Sequence, residues 1–445
     1  MARFKYLKFV SALLLSAALF FTSSAAFAAP VSQEGVVQYK QFLLEKYDLQ
    51  LTGEITKGDF IQAVADTVYL QPSVDEVTFT DVASGDALFP AAAALYEYGV
   101  LSGPAIQADQ RLTNAVAVSI AVRAADLKEL AYSYPQEKVA KTLAQLPKVT
   151  DGSLVAHMAQ ELAAAVDTGL LPAEFYADFE PHQAASEQLV NTLLGKVLEV
   201  KGLYKRYLGY VSDPDIYSKL YNAYATSDVM KAPSLQAVMN EALEQELVTG
   251  YSIKDSRFDA NFIPELSVAY GHSDLKHLIQ LIGLLRSEGL DAKVQYEPKT
   301  SAFIFLAEWG DPGPNVEQIA NGNFISYANE YDVQFEFASA EDKNKFHEII
   351  TAYAKKDAAD EPGLIYGSWW QPLYYSEVSV NDFEIITNNK VVDENSSFYV
   401  NPFSLNEDSE HVVEGLKAID PETVIVPYQF WVNKPFYNYL HGEAL

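Results

Sequence analysis

A short unit recurs along the first two hundred residues, and that repetition limits the folds open to this chain more than any single motif. Thr80-Asp81 returns as Thr150-Asp151, and Gly99-Val100-Leu101 returns as Gly169-Leu170-Leu171, both after seventy residues. The following segments are read in the same register, "RLTNAVAVSIAV" opposite "PHQAASEQLVNT". A shortened earlier copy is "EITKGDFIQAVADTV", in which Ile55-Thr56 matches Leu112-Thr113. Each copy reads as helix, loop, helix. In the second copy the first helix covers about Pro90 to Tyr98 and closes at Gly99, which enters the left-handed C-cap conformation without strain. Thr113 is a good N-cap for the second helix, which carries alanine and valine at core spacing. Two short helices cannot bury their apolar faces alone, so the three copies are expected to pack together.

The first thirty residues, "MARFKYLKFVSALLLSAALFFTSSAAFAAP", place Arg3, Lys5 and Lys8 ahead of an apolar stretch and end on Ala26-Phe27-Ala28. That is the layout of a secretory signal peptide over residues 1–28, and it predicts an exported protein. The apolar stretch is shorter than the roughly 20 residues that span a bilayer. The chain has no cysteine, so its stability comes from buried cores rather than disulfides. With 49% hydrophobic residues in 445, it has ample material for two or three domains. Loss of the three basic leader residues takes the formal charge from −29 to about −32. So acidic a surface repels nucleic-acid phosphates and anionic membranes.

Three features of the repeat are specific: the aromatic-x-Asp-Val start (Phe79, Asp81, Val82), the helix ending in Gly-Val-Leu-Ser-Gly, and the later helix opening on threonine. In these the chain resembles the S-layer homology family, over about residues 30 to 202. The resemblance implies three modules (about 30–72, 73–135 and 145–202) around a pseudo-threefold axis. It also implies attachment to an anionic, often pyruvylated, secondary polymer of the bacterial cell wall. The family typically opens its second helix with Thr-Arg-Ala-Glu, whose arginine meets the anionic sugar. Here the counterparts are read as Thr56-Lys57-Gly58-Asp59, Thr113-Asn114-Ala115-Val116 and Gln183-Ala184-Ala185-Ser186, so only the first keeps a cation and an acid. On this resemblance the polymer-binding residues are Thr56, Lys57, Asp59, Asp81, Arg111, Thr113 and Asp151. Lys57 reads equally as an anion contact or as a solvated lysine, Asp81 and Asp151 as contacts or as turn caps, and Arg111 as an alternative cation.

The second half carries no catalytic motif. Residues 203–260 read as a helical connector, with Ser234 as N-cap of one helix. Residues 261–445 read as an α+β domain, helices on an antiparallel or mixed sheet, in a ferredoxin-like order of strand, helix, strand, strand, helix, strand. "DAKVQYEP" and "SAFIFLAEW" are taken as two strands about a turn at Lys299-Thr300, and Ser273 as N-cap of the helix between strands. His272 and His277 stand five apart, which is not the spacing of two ligands on one helical face, so no metal or cofactor is expected. Trp369 and Trp370 cannot both face inward on a regular strand, so one is a candidate ligand-binding aromatic.

The expected architecture is therefore multidomain: an all-α three-module unit followed by the α+β domain. The expected function is an exported cell-surface protein held to wall polymer and displaying a non-catalytic, binding or structural domain, glycan or protein being the partner of that domain. Two alternatives stand beside it: a displayed enzyme acting on polysaccharide, with paired carboxylates in a cleft, and a scaffold of the same fold that has lost wall binding.

Overall fold

The computed structural model describes residues 33–70, 72, 77–305, 315–319, 322–353, 373–393, 396–434 and 437. The expected leader and the Trp369-Trp370 pair lie outside the described residues.

Residues 33–202 hold helices around one apolar core. These are α1 (Gln33–Tyr47), α2 (Lys57–Thr67), α3 (Phe89–Glu97), α4 (Asn114–Ala124), α5 (Lys128–Tyr132), α6 (Gln136–Leu143), α7 (Ala156–Asp167) and α8 (Glu187–Val200). Helices α2, α4 and α8 pack against one another, and their Phe60, Val64, Val118, Val122, Leu193 and Val197 are buried in the shared core. Around them, α3 packs on α2, α7 on α4 and α1 on α8, so the first helix of each copy rests on the second helix of the copy before it. Gly99 and Gly169, at φ +72 and +73, end α3 and α7 in the left-handed turn that a side chain would strain.

The second half corrects the expected fold class. It is a closed antiparallel barrel of eight strands with two further strands at its edges, not an open ferredoxin-like α+β sheet. The strands are β1 (Gly209–Tyr210), β2 (Gly250–Asp255), β3 (Ser267–His272), β4 (Ala292–Phe305), β5 (Val316–Gln318), β6 (Phe324–Phe337), β7 (Leu373–Ser376), β8 (Glu384–Val392), β9 (Phe398–Pro402) and β10 (Val424–Val432). The circuit runs β4-β2-β9-β8-β10-β7-β3-β6 and closes where β6 pairs with β4; β1 adds to β4 and β5 to β6. The physical reason lies in β4 and β6. Each is 14 residues long, and they pair from Ala292↔Phe337 to Phe305↔Phe324. No turn interrupts β4 at Lys299-Thr300: Lys299 points inward to Asp332, and the Thr300 hydroxyl accepts from the Met230 N–H at 2.7 Å on the outer face. On its other edge β4 takes β1 at Lys293–Val294 and β2 at Lys299–Phe303, and β6 takes β5 at Phe324–Ser326 and β3 at Tyr331–Glu336, so the long pair carries the circuit round to closure.

The barrel is apolar outside; within, it is polar along β2, β4 and β6 and carries an apolar cluster of Ile386, Phe430 and Val432 on the β8–β10 side. Val268, Tyr270, Val294, Tyr296, Tyr331, Val333 and Phe335 face outward beneath α9 (Ile216–Ala225), α11 (Leu275–Ser287) and α12 (Ala340–Tyr353). Tyr251, Ile253, Ala302, Ile325, Val391 and Val400 meet α10 (Pro233–Glu244) and α13 (Ser409–Ile419). The segment expected to be a connector therefore supplies β1, β2, α9 and α10 to the barrel. Two helix starts also differ from expectation: α10 opens on Pro233 after Ala232, and α11 is capped by Asp274, whose carboxylate accepts from the Lys276 N–H at 2.9 Å.

The two halves meet through consecutive residues that point opposite ways. The Tyr204 ring packs against Phe42 and Tyr39 of the helical half, at 4.6 and 5.1 Å between centroids. Lys205 enters the barrel base and, with Lys293, holds Glu336 at 2.8 and 2.7 Å.

Candidate functional site

Two places concentrate chemistry: the helix starts of the repeat, and the barrel interior.

In the repeat, α2, α4 and α8 are each N-capped by a hydroxyl. Thr56, Thr113 and Ser186 accept from the N–H groups of Asp59, Val116 and Leu189. In the first copy the Asp59 carboxylate also accepts from the Thr56 N–H at 2.8 Å, completing a capping box. The third cap is Ser186, three residues beyond the register read from the sequence. The loop after Gly169 carries a 3-10 turn over Ala173–Asp178 and is three residues longer than its counterpart after Gly99. The residue after each cap is thus Lys57, Asn114 or Glu187, and lysine is the only cation of the three.

The copies are joined by the same hydrogen bonds at two junctions. Leu112 N–H donates to Ile55 C=O, Lys57 to Gln110 and Gly58 to Ala108; correspondingly Ala185 donates to Leu112, Asn114 to Gln183 and Ala115 to Pro181. The first N–H groups of α2 are therefore already satisfied, and anion contact there falls to the Lys57 side chain. Lys57 is half-buried. Burial pulls its ammonium below the usual lysine value, Asp81 opposes that, and Arg123 adds to it.

Asp81 acts first on the backbone. It is exposed, and its carboxylate accepts from the Ile106 and Gln107 N–H groups at 2.8 and 2.6 Å; those bonds, ahead of Lys57, hold its pKa below the usual carboxylate value. It thereby fixes the loop whose Ala108 carbonyl meets α2. Arg111 bridges to Thr56 through the backbone, and its exposed guanidinium pairs with Glu54 at 3.0 Å, a surface contact worth little energetically. Asp151 stands exposed in a turn and makes no bond like those of Asp81 among the described residues. The fold thus brings Thr56, Lys57, Asp59, Asp81 and Arg111 to one junction, with Thr113 at the next and Asp151 apart from both.

The barrel interior was not foreseen. Lys254 reaches Glu297 at 2.6 Å and Asp332 at 3.1 Å, and Lys299 reaches Asp332 at 2.8 Å. The Tyr375 hydroxyl donates to Asp332 at 3.1 Å, and the Ala260 N–H to Glu297 at 2.8 Å. Burial favours the neutral acid at Asp332, but Lys299 and Lys254 outweigh it and hold the carboxyl at about 2. At Glu297 burial prevails over Lys254 and raises the pKa, so acid protonates Glu297 before Asp332. The sequence signal was present: Lys293, Gln295, Glu297 and Lys299 alternate along β4 and share its inner face.

His272 and His277 also come together, because the strand ends at His272 and the turn into α11 folds one ring onto the other, 3.9 Å between centroids. His272 Nδ1 accepts from the Asp274 N–H at 2.8 Å. Burial, then the His277 charge, lowers the pKa of His272 to about 4, and burial lowers His277 as well. Both are neutral in the native state at pH 7, whereas an unfolded histidine titrates near 6.5. Below that value the unfolded chain binds more protons, so this pair removes stability as pH falls from about 6.5 toward 4. Denaturation midpoints across that range should fall less steeply in His272→Gln than in the parent; equal slopes would contradict the assignment. Among the described residues, no three His, Cys, Asp or Glu side chains are grouped to hold a metal, and no helix is long and apolar enough to cross a membrane.

Compared with known proteins, the chain matches no protein-family model and no curated protein.

Proposed function

We propose that this is an exported cell-surface protein whose helical half holds it to an anionic secondary polymer of the cell wall and whose barrel faces outward as a binding or structural domain. The observation that carries the reading is the pair of equivalent junctions between copies, the first of which sets Lys57, half-buried beside Asp81, at the head of a capped helix. A cation so placed attracts a carboxylate or pyruvyl group as a point charge, without using the helix backbone, whose first N–H groups are occupied. The contact is singular, because Asn114 and Glu187 occupy the matching positions of the other copies. Lys57→Ala should leave folding intact and lower the amount of protein retained on intact cells several-fold. Equal retention of variant and parent would leave the repeat as a scaffold without a wall contact at this junction.

A further inference from the structure

Among the described residues, the lysines Lys205, Lys254, Lys293 and Lys299 each meet an interior carboxylate within 2.6 to 3.1 Å. Lys390 does not. It lies on the inner face of β8, its ammonium 4.4 Å from the Tyr399 ring centroid and 5.7 Å from that of Tyr428. No hydrogen bond or ion pair engages its three N–H donors among the described residues. Asp259, the carboxylate acting on it most strongly, is taken by the Tyr399 hydroxyl at 2.9 Å. The amides nearby are also held in a fixed frame: the Tyr428 hydroxyl donates to Asn401 Oδ1 at 3.1 Å, and Asn388 Nδ2 approaches the same hydroxyl at 3.4 Å.

This end of the barrel is reachable. Lys390 pairs in register with Val426, which is 45% exposed, and Lys390, Asn401 and Tyr428 are half-buried rather than sealed. A half-buried ammonium between two ring faces has lost much of its hydration, and the rings return only part of it. We infer that this mouth of the barrel binds a small oxyanion (a carboxylate, sulfate or phosphate group), with Lys390 as its charge partner and Tyr399 and Tyr428 as the walls that aim the ammonium. Burial already lowers the Lys390 pKa, and a bound anion would raise it again.

The test uses the full-length protein with lysines labelled at Cε, the Lys390 resonance being assigned by its absence in Lys390→Met and, independently, in Lys390→Arg. Sodium sulfate is titrated against sodium chloride at equal ionic strength, then sodium acetate and sodium phosphate in the same way. Expected is a saturable shift of the Lys390 signal with at least one oxyanion that chloride does not reproduce, with its titration midpoint moved upward and the exposed Lys276 unmoved. If Lys390 responds no more than Lys276, or responds to chloride and oxyanions alike, the inference is wrong. A signal that stays put because an acid of the chain itself holds the ammonium overturns it equally.

Discussion

Lys254→Met lowers the unfolding free energy of the barrel by about 3–5 kcal/mol, the usual cost of removing one partner from a buried ionic group. Among the described residues Lys254 is the only cation touching both Glu297 and Asp332, and all three side chains are at most 8% exposed. Without it Glu297 keeps one backbone N–H and a distant Gln334 amide, while Asp332 keeps Lys299 and Tyr375. Glu297 is therefore left as the uncompensated charge. The double variant Lys254→Met with Glu297→Gln should recover part of the loss, because the orphaned carboxylate is gone. Denaturant unfolding of the three proteins checks this; a cost under about 1 kcal/mol for Lys254→Met would mean that water reaches the interior freely.

A comparable loss is expected in the helical half. Glu161, on α7, is fully buried and accepts from Arg123 Nε at 2.6 Å, from the Tyr132 hydroxyl at 3.1 Å and from the Ser119 hydroxyl. Arg123 is itself only 10% exposed, and its other nitrogen reaches the Val100 carbonyl and the Ser102 hydroxyl at 3.2 and 3.4 Å. One carboxylate thus ties the third copy to the second, and the second helix of that copy to the loop after Gly99. Glu161→Ala leaves a buried guanidinium without its anion and should cost about 3–5 kcal/mol. Glu161→Gln, which still accepts hydrogen bonds, should cost about 1–3 kcal/mol. Thermal unfolding orders the two variants, and equal losses would show that charge is not what Glu161 contributes.

The two halves differ in how much their residues disclose before folding. Threonine caps and closing glycines are local signals, so the helix pairs of the first two copies, with Thr56, Thr113 and Gly99 at their ends, can be read from a dozen residues at a time. The third copy shows the limit of that method: three extra loop residues shift its cap to Ser186, and a constant offset passes over them. The barrel fails for a different reason. Alternation in "KVQYEPK" says that β4 has one apolar and one polar face, but an open sheet meets water with its polar face just as a closed one turns it inward. Closure rests on pairings such as Lys254↔Tyr399 and Trp431↔Ser376, far apart in the chain, which no local pattern encodes. For the same reason the ionic interior shows only one of its walls locally: the alternation of Lys293, Glu297 and Lys299 marks a polar face of β4, but the partners Lys254 and Asp332 lie on strands distant in the chain. The histidine pair is a smaller case, since a five-residue spacing that separates two rings on a helix unites them across a strand end.

Attachment of the helical half to a wall polymer, as proposed, is open to direct measurement. The protein is sedimented with purified cell walls, before and after the wall-linked polymer is removed chemically. Saturable co-sedimentation with intact walls is expected, lost with the polymer and weakened by Lys57→Ala. Equal co-sedimentation with stripped walls, or none with either, would contradict it.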